Sequence, residues 1–179
     1  MAREWDIRQV RSGEIRIDRI DIKILAALQT DGRMTNLKLA ESVGLSPTPC
    51  LQRVKRLESA GYIRSYEAVV DLVRLAPHFC AFVQVEVASQ RFEDLKRFEH
   101  YVRSSPLILE CYRIGSEFDY LLKSVARDVC HHQKMLDELL SDAVGVRHVS
   151  SYIVLGNIKQ VRTVPIGLLE PSLQLAAGM

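Results

Sequence analysis

The apolar residues of the first third of the chain recur every three or four positions, which is the spacing of one face of a helix. This spacing predicts three short helices, over residues 17–31, 35–43 and 46–60. We expect the first helix to end at Asp31 and Gly32, because glycine readily adopts the left-handed conformation found at helix C-termini. On the second helix, the predicted core stripe consists of Leu37, Ala40 and Val43.

Residues with capping and turn preferences stand at the ends of these predicted helices. Asp18, Thr35 and Ser46 are suitable N-caps, because each side chain can accept a hydrogen bond from a first-turn N–H group. Pro47 follows at the first position of the third helix, where its missing N–H does no harm. Gly44 allows a tight turn between the second and third helices. Three short helices with such a turn predict a helix-turn-helix.

The second half of the chain has a different period, because its residues 79–87 alternate between apolar and polar as a half-buried strand does. The pattern predicts strands over residues 79–87, 107–114, 120–125 and 146–155, and helices over residues 92–104 and 128–140. The order β-α-β-β-α-β is that of a ferredoxin-like fold, in which both helices cover one face of a four-stranded antiparallel sheet. The fold class is therefore α+β. Phe, Val and Ile side chains on the uncovered face would meet water, so we expect a second copy of the chain to cover it.

The segment between the two patterns is expected to connect two domains. Residues 62–70 are interpreted as extended, a candidate wing or linking strand, because Ile63, Val69 and Val70 favour strands. Pro77 marks a hinge that follows. The predicted organisation is an N-terminal extension (1–16), a winged helix-turn-helix domain (17–66), a linker strand and hinge (67–78), a second domain (79–164) and a C-terminal tail (165–179).

Composition and charge narrow the class of protein. Hydrophobic residues make up 47% and charged residues 26% of the 179 positions, as in a globular rather than a disordered chain. Residues 1–66 carry 12 Lys and Arg against 8 Asp and Glu, a net charge of +4. Residues 67–179 carry 12 against 14, a net charge of −2. The basic front part is suited to contact with phosphate.

The sequence contains no pattern that indicates export or membrane insertion. The N-terminus is charged throughout and lacks the apolar run of a signal peptide, and there is no run of about 18 apolar residues. The cysteines form no CxxC pair, so no zinc site is expected. They are Cys50, Cys80, Cys111 and Cys130. We expect a cytoplasmic protein with reduced cysteines and with neither metal nor cofactor.

The third predicted helix carries the residues that we expect to contact DNA. Cys50, Val54 and Leu57 lie on one side of it and should face the core. The other side combines hydrogen-bonding groups with cations, which suits the major groove of DNA. We assign base contacts to Thr48 and Gln52, near the start of the helix. Phosphate contacts are assigned to Arg53, Lys55, Arg56 and Arg64. The alternative interpretation is an ordinary solvated helix face.

Three stretches resemble the Lrp/AsnC (leucine-responsive, or feast/famine) family of transcription regulators. They are LSPTPCLQRVKRLESAGYI at residues 45–63, the lead-in at residues 17–44, and FDYLLK at residues 118–123. Ser46 and Pro49 of the SPTPC element join the expected DNA-binding surface on this basis. The resemblance implies an N-terminal domain that binds double-stranded DNA. It also implies a second domain that forms homodimers through its sheet, assembles further to tetramers or octamers, and binds small effectors, usually amino acids.

The same resemblance implies where an effector would bind. The matching positions are Gly115, Ser116, Glu117, Phe118 and Asp119 before the third strand, and Tyr152, Ile153 and Val154 on the last strand. The glycine of the family pattern stands one place earlier here, at Gly115, with Ser116 in its position. Backbone N–H groups of the turn could hold a carboxylate, and Asp119 could hold an ammonium group. The alternative is that Asp119 only caps the turn.

Two other functions compete with DNA-binding regulation. Some proteins of this overall shape are sirohaem decarboxylases, but the five histidines of this chain lack HExxH spacing and there is no GxSxG element. We therefore expect no enzyme activity, and a bound tetrapyrrole colour would reverse that expectation. The third possibility is a ligand-binding module with a vestigial helix-turn-helix, which predicts no footprint on the chain's own upstream DNA.

Overall fold

The computed structural model describes residues 15–161 and 163–166, and the chain divides into two compact units. The first unit contains the described residues up to Val69 together with those from Gln160 onward, and the second contains Val70–Lys159. The predicted N-terminal extension and C-terminal tail lie outside the described residues, except for their residues 15–16 and 165–166. In the part that is described, no helix has the length and apolar character needed to cross a membrane.

The first unit contains the three predicted helices, which are α1 (Arg19–Thr30), α2 (Asn36–Val43) and α3 (Pro47–Ser59). The Asp18 carboxylate caps α1 by accepting hydrogen bonds from the N–H groups of Ile20 and Asp21. Thr35 caps α2 by accepting from the N–H of Lys38. Gly44 takes the left-handed conformation, with φ of 73°, in the turn before α3. The predicted helix-turn-helix is confirmed.

The core of this unit confirms one predicted stripe and corrects another. Cys50, Val54 and Leu57 of α3 are buried as predicted. On α2, however, Leu37 is 57% exposed and Leu39 is buried, so the prediction of Leu37 as a core residue was wrong. Ala40 and Val43 are buried, and Leu39 rather than Leu37 shares their face.

Two local predictions around the helices were wrong. Gly32 does not adopt a positive φ, and α1 ends instead with Asp31 in an extended conformation. Residues 62–70 contain no strand, and Arg64 to Val70 are all exposed. The β-forming valines there have no neighbouring strand in the four-stranded sheet with which to pair. A short helix that was not predicted, α4 (Leu72–Leu75), follows, capped by the Asp71 carboxylate.

The second unit confirms the predicted β-α-β-β-α-β order. After α4 come β1 (Phe79–Val87), α5 (Phe92–Ser104), β2 (Ile108–Arg113), β3 (Tyr120–Ala126), α6 (Val129–Leu139) and β4 (Val146–Ile153). The strands form one antiparallel sheet in the spatial order β2-β3-β1-β4. This arrangement is the expected ferredoxin-like α+β fold.

The two faces of the sheet have different environments. Val83 and Val85 of β1 and Leu122 of β3 are fully buried in a core that includes Phe98 of α5 and Leu139 of α6. Side chains alternate along a strand, so residues between these lie on the opposite face. That opposite face includes three partly exposed aromatic residues, which are Phe82 (38% exposed), Tyr112 (47%) and Tyr152 (53%). The same face carries the Lys123–Glu110 ion pair, so it mixes aromatic with charged side chains. It is the face that the sequence predicts a second copy to cover.

Candidate nucleic-acid interface and effector site

Helix α3 presents a polar side opposite its buried stripe. Thr48, Gln52 and Lys55 are exposed along this side, while Pro49 is half-buried near the start of the helix. Ser46 occupies the N-cap position but its side chain makes no capping hydrogen bond, so its exposed hydroxyl is not used to close the helix end. The helix therefore offers hydrogen-bonding groups and a cation on one accessible surface, the property that groove reading requires.

Arg53 and Arg56 of α3 form ion pairs with two aspartates of α1. An Arg53 Nη1 lies 2.6 Å from Asp18 Oδ2 and 2.9 Å from Asp21 Oδ1. An Arg56 Nη2 lies 2.5 Å from Asp21 Oδ2. The side chain of Asp21 is fully buried, whereas those of Arg53 and Arg56 are 28% and 42% exposed. These bonds fix the orientation of α3 against α1.

From the sequence, both arginines were predicted to contact phosphate, and their ion pairs with Asp18 and Asp21 were not predicted. The signal was present in the spacing, because the two aspartates stand three residues apart on α1 and the two arginines three residues apart on α3. Residues three apart share a helix face. Opposite charges with matching spacing on two packed helices thus indicate a pair of bridges.

Protonation of the network follows from its contacts. Burial raises the pKa of the Asp18 carboxyl, but the N–H of Asp21 and the Arg53 guanidinium together bring it below its ordinary value. The hydrogen bonds from Arg53 to Asp18 and Asp21 raise the pKa of that guanidinium further. Both groups of the Arg53–Asp18 pair therefore remain charged at neutral pH.

The chain after α3 is tied back to the helix. Tyr66 Oη donates a hydrogen bond to Glu58 Oε1 at 2.9 Å. Burial, and then the Glu58 carboxylate, raise the pKa of Tyr66 to about 12, so the phenol remains a donor at neutral pH. Arg64 lies between these two anchored residues and is exposed. Its role as a phosphate contact stays a prediction.

Asp119 connects two loops at one end of the sheet. Its Oδ2 accepts a hydrogen bond from the N–H of Val87 at 2.8 Å, and its Oδ1 accepts one from the Gln90 amide at 2.5 Å. Its backbone also bonds to Val85 and Ile114. The Asp119 carboxylate is thus engaged by the end of β1 and the loop after it, and neither bond comes from the turn at residues 115–118. Each carboxylate oxygen can still accept a further hydrogen bond.

The other residues of the predicted effector turn lie beside Asp119. Gly115, Ser116 and Glu117 are exposed and Phe118 is half-buried. The Ser116 hydroxyl accepts a long hydrogen bond, 3.4 Å, from the N–H of Phe118. The turn is therefore accessible, and its side chains and backbone could meet a small molecule.

The second predicted effector segment lies at the other end of the sheet. Tyr152 pairs with Phe82 in β1, and the N–H of Val154 donates to the carbonyl of Cys80, whereas Asp119 bonds to Val87. Val87 lies five positions after Phe82 in β1, which corresponds to roughly 16 Å along a strand. Within one chain, Tyr152, Ile153 and Val154 therefore do not meet the turn before β3, and one amino acid cannot touch both segments.

Comparison with known proteins covers both units. The winged helix-turn-helix DNA-binding model matches residues 17–64, and the Lrp/AsnC ligand binding domain model matches residues 80–164. The transcriptional regulatory protein DoeX of Halomonas elongata is 39% identical over 82% of this chain and 92% of its own length. The leucine-responsive regulatory protein of Escherichia coli is 39% identical over 80% of this chain and 88% of its own.

Solved structures show the same architecture. A transcriptional regulator of Neisseria meningitidis, crystallised as a complex with L-Met, has a TM-score of 0.79 and 36% identity, covering 86% of this chain and 99% of that one. An AsnC family regulator of Agrobacterium tumefaciens also gives a TM-score of 0.79, with 35% identity and the same coverage.

A helix-turn-helix followed by a ligand-binding domain defines this chain as a DNA-binding transcription regulator that responds to small-molecule effectors. The order of the two matched domains and the 39% identity over most of the chain specify the family. The chain belongs to the Lrp/AsnC family of transcription regulators.

Proposed function

We propose that α3 enters the major groove of an operator and reads base edges with Thr48 and Gln52. The observation that carries this proposal is the exposed polar side of α3, which stands opposite a buried stripe and lies within the matched DNA-binding domain. Lys55 and Arg64 contact phosphate. Ser46 and Pro49, at the N-terminus of α3, lie on the same DNA-binding surface. Arg56 has the exposure to reach phosphate as well, whereas the main role of Arg53 is to hold α3 in place.

A mobility-shift assay on the chain's own upstream DNA tests the phosphate assignment. Lys55→Ala should weaken binding to every duplex and reduce the dependence of log affinity on log salt by about one. Lys134→Ala, an exposed lysine on α6, is the matched control and should behave as wild type. Equal salt dependence for Lys55→Ala and wild type would contradict a phosphate contact at Lys55.

We propose that the effector is an amino acid and that two chains build its site. The N–H groups of the exposed residues 115–117 would donate hydrogen bonds to the carboxylate of the amino acid, and the Asp119 carboxylate would accept from its ammonium group. Because Tyr152–Val154 lies too far away in the same chain, that segment would have to come from another copy. This requirement agrees with assembly to dimers and then to tetramers or octamers, in the cytoplasm where DNA is accessible. The similar Neisseria regulator was crystallised with L-Met, which supports an amino acid as ligand.

The variant Asp119→Asn removes the charge of Asp119 while retaining its hydrogen bonds to Val87 and Gln90. Asparagine retains an oxygen that can accept from Val87, and the Gln90 amide can turn to accept from the new amide group. A thermal-shift screen of wild type against the twenty amino acids identifies the ligand first. Asp119→Asn should then lower its affinity by about tenfold or more while its melting temperature without ligand stays near wild type. Asp142→Asn, exposed in the same unit, is the control. Unchanged affinity in Asp119→Asn would rule out the ammonium contact.

We propose that the chain acts by binding and not by catalysis. The matched relatives are named as regulatory proteins, and the two matched domains account for residues 17–64 and 80–164. The experiment that distinguishes a decarboxylase is an absorption spectrum of the purified protein. A tetrapyrrole band that copurifies with the chain would contradict this proposal.

A further inference from the structure

The last described residues of the chain lie with the first unit, although they follow β4 of the second. Val146–Ile153 forms an edge strand of the second unit, whose boundary is Lys159. The residues from Gln160 onward group with the three helices. The chain therefore passes between the units twice, once after Val69 and once before Gln160. The sequence predicted only the first of these connections.

The side chain of Gln29 on α1 holds the returning segment at Val164. Gln29 Nε2 donates a hydrogen bond to the Val164 carbonyl at 3.2 Å, and Gln29 Oε1 accepts one from the Val164 N–H at 2.8 Å. The side-chain amide thus pairs with both backbone groups of one residue, as a neighbouring strand would. The two bonds fix the position and the direction of the segment along α1.

The segment is folded locally where it meets Gln29. The Val164 carbonyl also accepts a hydrogen bond from the N–H of Ile166 at 2.8 Å, which closes a three-residue turn around Pro165. Proline favours this turn because its ring fixes φ near the required value. The Val164 side chain is 55% exposed, so the attachment is made by backbone and not by burial of that side chain.

We propose that residues 163–166 form a latch that closes on Gln29 and links the end of the sensor domain to the first helix of the DNA-binding domain. Val164 lies ten positions after Val154, the last residue of the predicted effector segment. A change at the end of β4 on ligand binding therefore has a covalent path to α1 that does not run through the hinge at residues 67–78. This coupling role rests on the proposed effector function, whereas the latch itself does not.

Hydrogen–deuterium exchange of the full-length protein tests the latch without any ligand. In wild type, the Val164 amide should be protected, and Gln29→Ala should raise its exchange rate at least tenfold. Val164→Ala retains both backbone bonds and should preserve protection, and Lys23→Ala, exposed on the same helix, should do so too. Exchange of Val164 at the unprotected rate in wild type, or equal exchange in Gln29→Ala, would overturn the latch.

Operator affinity with and without the amino acid found by thermal shift tests the coupling. Gln29→Ala should bind the amino acid as wild type does. In this variant, however, the amino acid should change operator affinity by a factor close to one. A fold-change equal to that of wild type overturns the coupling role. If wild type responds to no amino acid, the proposed effector function fails and the coupling role fails with it, while the exchange result still decides whether the latch exists.

Discussion

At the scale of single residues, Asp21 organises the DNA-binding unit. Its carboxylate is fully buried, accepts the N–H of Asp18 to complete a capping box, and meets Arg53 and Arg56 of α3. A buried carboxylate is favourable only when its hydrogen-bonding capacity is filled. Residues from α1 and α3 fill it here, so the orientation of the proposed recognition helix depends on one side chain of α1.

Asp21→Asn should lower the free energy of unfolding by about 2–3 kcal/mol, because it removes the charge that both arginines meet. The estimate lies below that for a fully buried pair, since both arginines are partly exposed. Urea denaturation measures the change. Glu41→Gln, an exposed carboxylate on α2, is the control and should change stability little. If the two variants are equally stable, the network does not hold α3.

His132 gives the second unit a dependence on pH. It is 4% exposed, lies 2.7 Å from the Ser151 hydroxyl through Nε2, and its burial lowers its pKa. The unfolded chain takes up this proton below about pH 6.5, whereas the folded chain resists protonation to lower pH. The contribution of His132 to stability is therefore complete above pH 6.5 and declines as the pH falls below it.

Urea denaturation at pH 7.5 and pH 5.5 measures this contribution. Wild type should be less stable at the lower pH, and His132→Gln should lose part of that difference because glutamine does not titrate. His100→Gln, exposed on α5, should retain the wild-type difference. The same pH difference in His132→Gln as in wild type would contradict the account.

At the scale of elements, local signals predicted what depends on local physics. Capping by Asp18 and Thr35 and alternation along β1 agree with the structure, because these features are set by residues within a few positions of each other. The strand at residues 62–70 was wrong, since a strand needs a partner that its own sequence cannot reveal. The Arg53 bridges were missed for the same reason, because α1 supplies the partners from more than thirty residues away.

Gly44→Ala should destabilise the turn of the helix-turn-helix by about 1 kcal/mol, because its φ of 73° is unfavourable for any residue with a Cβ. Among the described residues, no heavy atom other than those of Gly44 and its two chain neighbours lies within 4 Å of the position that the Cβ would occupy. The change therefore reports backbone strain and not a clash. Thermal denaturation gives the value. Gly156→Ala, at an equally open position without a positive φ, should be near neutral. Equal melting temperatures for Gly44→Ala and wild type would contradict the predicted backbone strain at residue 44.

At the scale of the whole molecule, the proposed effector site needs a second chain, and the open face of the sheet is where we expect a second chain to pack. The turn before β3 and the end of β4 are separated within one chain, and the face with Phe82, Tyr112 and Tyr152 is partly exposed. The sequence predicted the residues of both effector segments from resemblance. It could not predict their separation, because that follows from the strand register.

Phe82→Glu should weaken self-association by at least about tenfold, because a charge would have to leave water among the aromatic residues of this face. Light scattering after size-exclusion chromatography measures the molar mass across a dilution series. Phe92→Glu alters an aromatic residue of α5 that is 66% exposed and should leave the mass unchanged. A monomeric wild type, or a Phe82→Glu variant of wild-type mass, would contradict assembly through this face.

The central claim is that the polar side of α3 reads DNA sequence. Selection from a library of random duplexes, carried out in parallel with wild type and Gln52→Ala, measures this most directly. The account predicts one enriched motif for wild type and, for Gln52→Ala, the same motif with relaxed preference at one or two positions, as expected when a single base contact is lost. No enrichment by wild type, or identical motifs for both proteins, would contradict it.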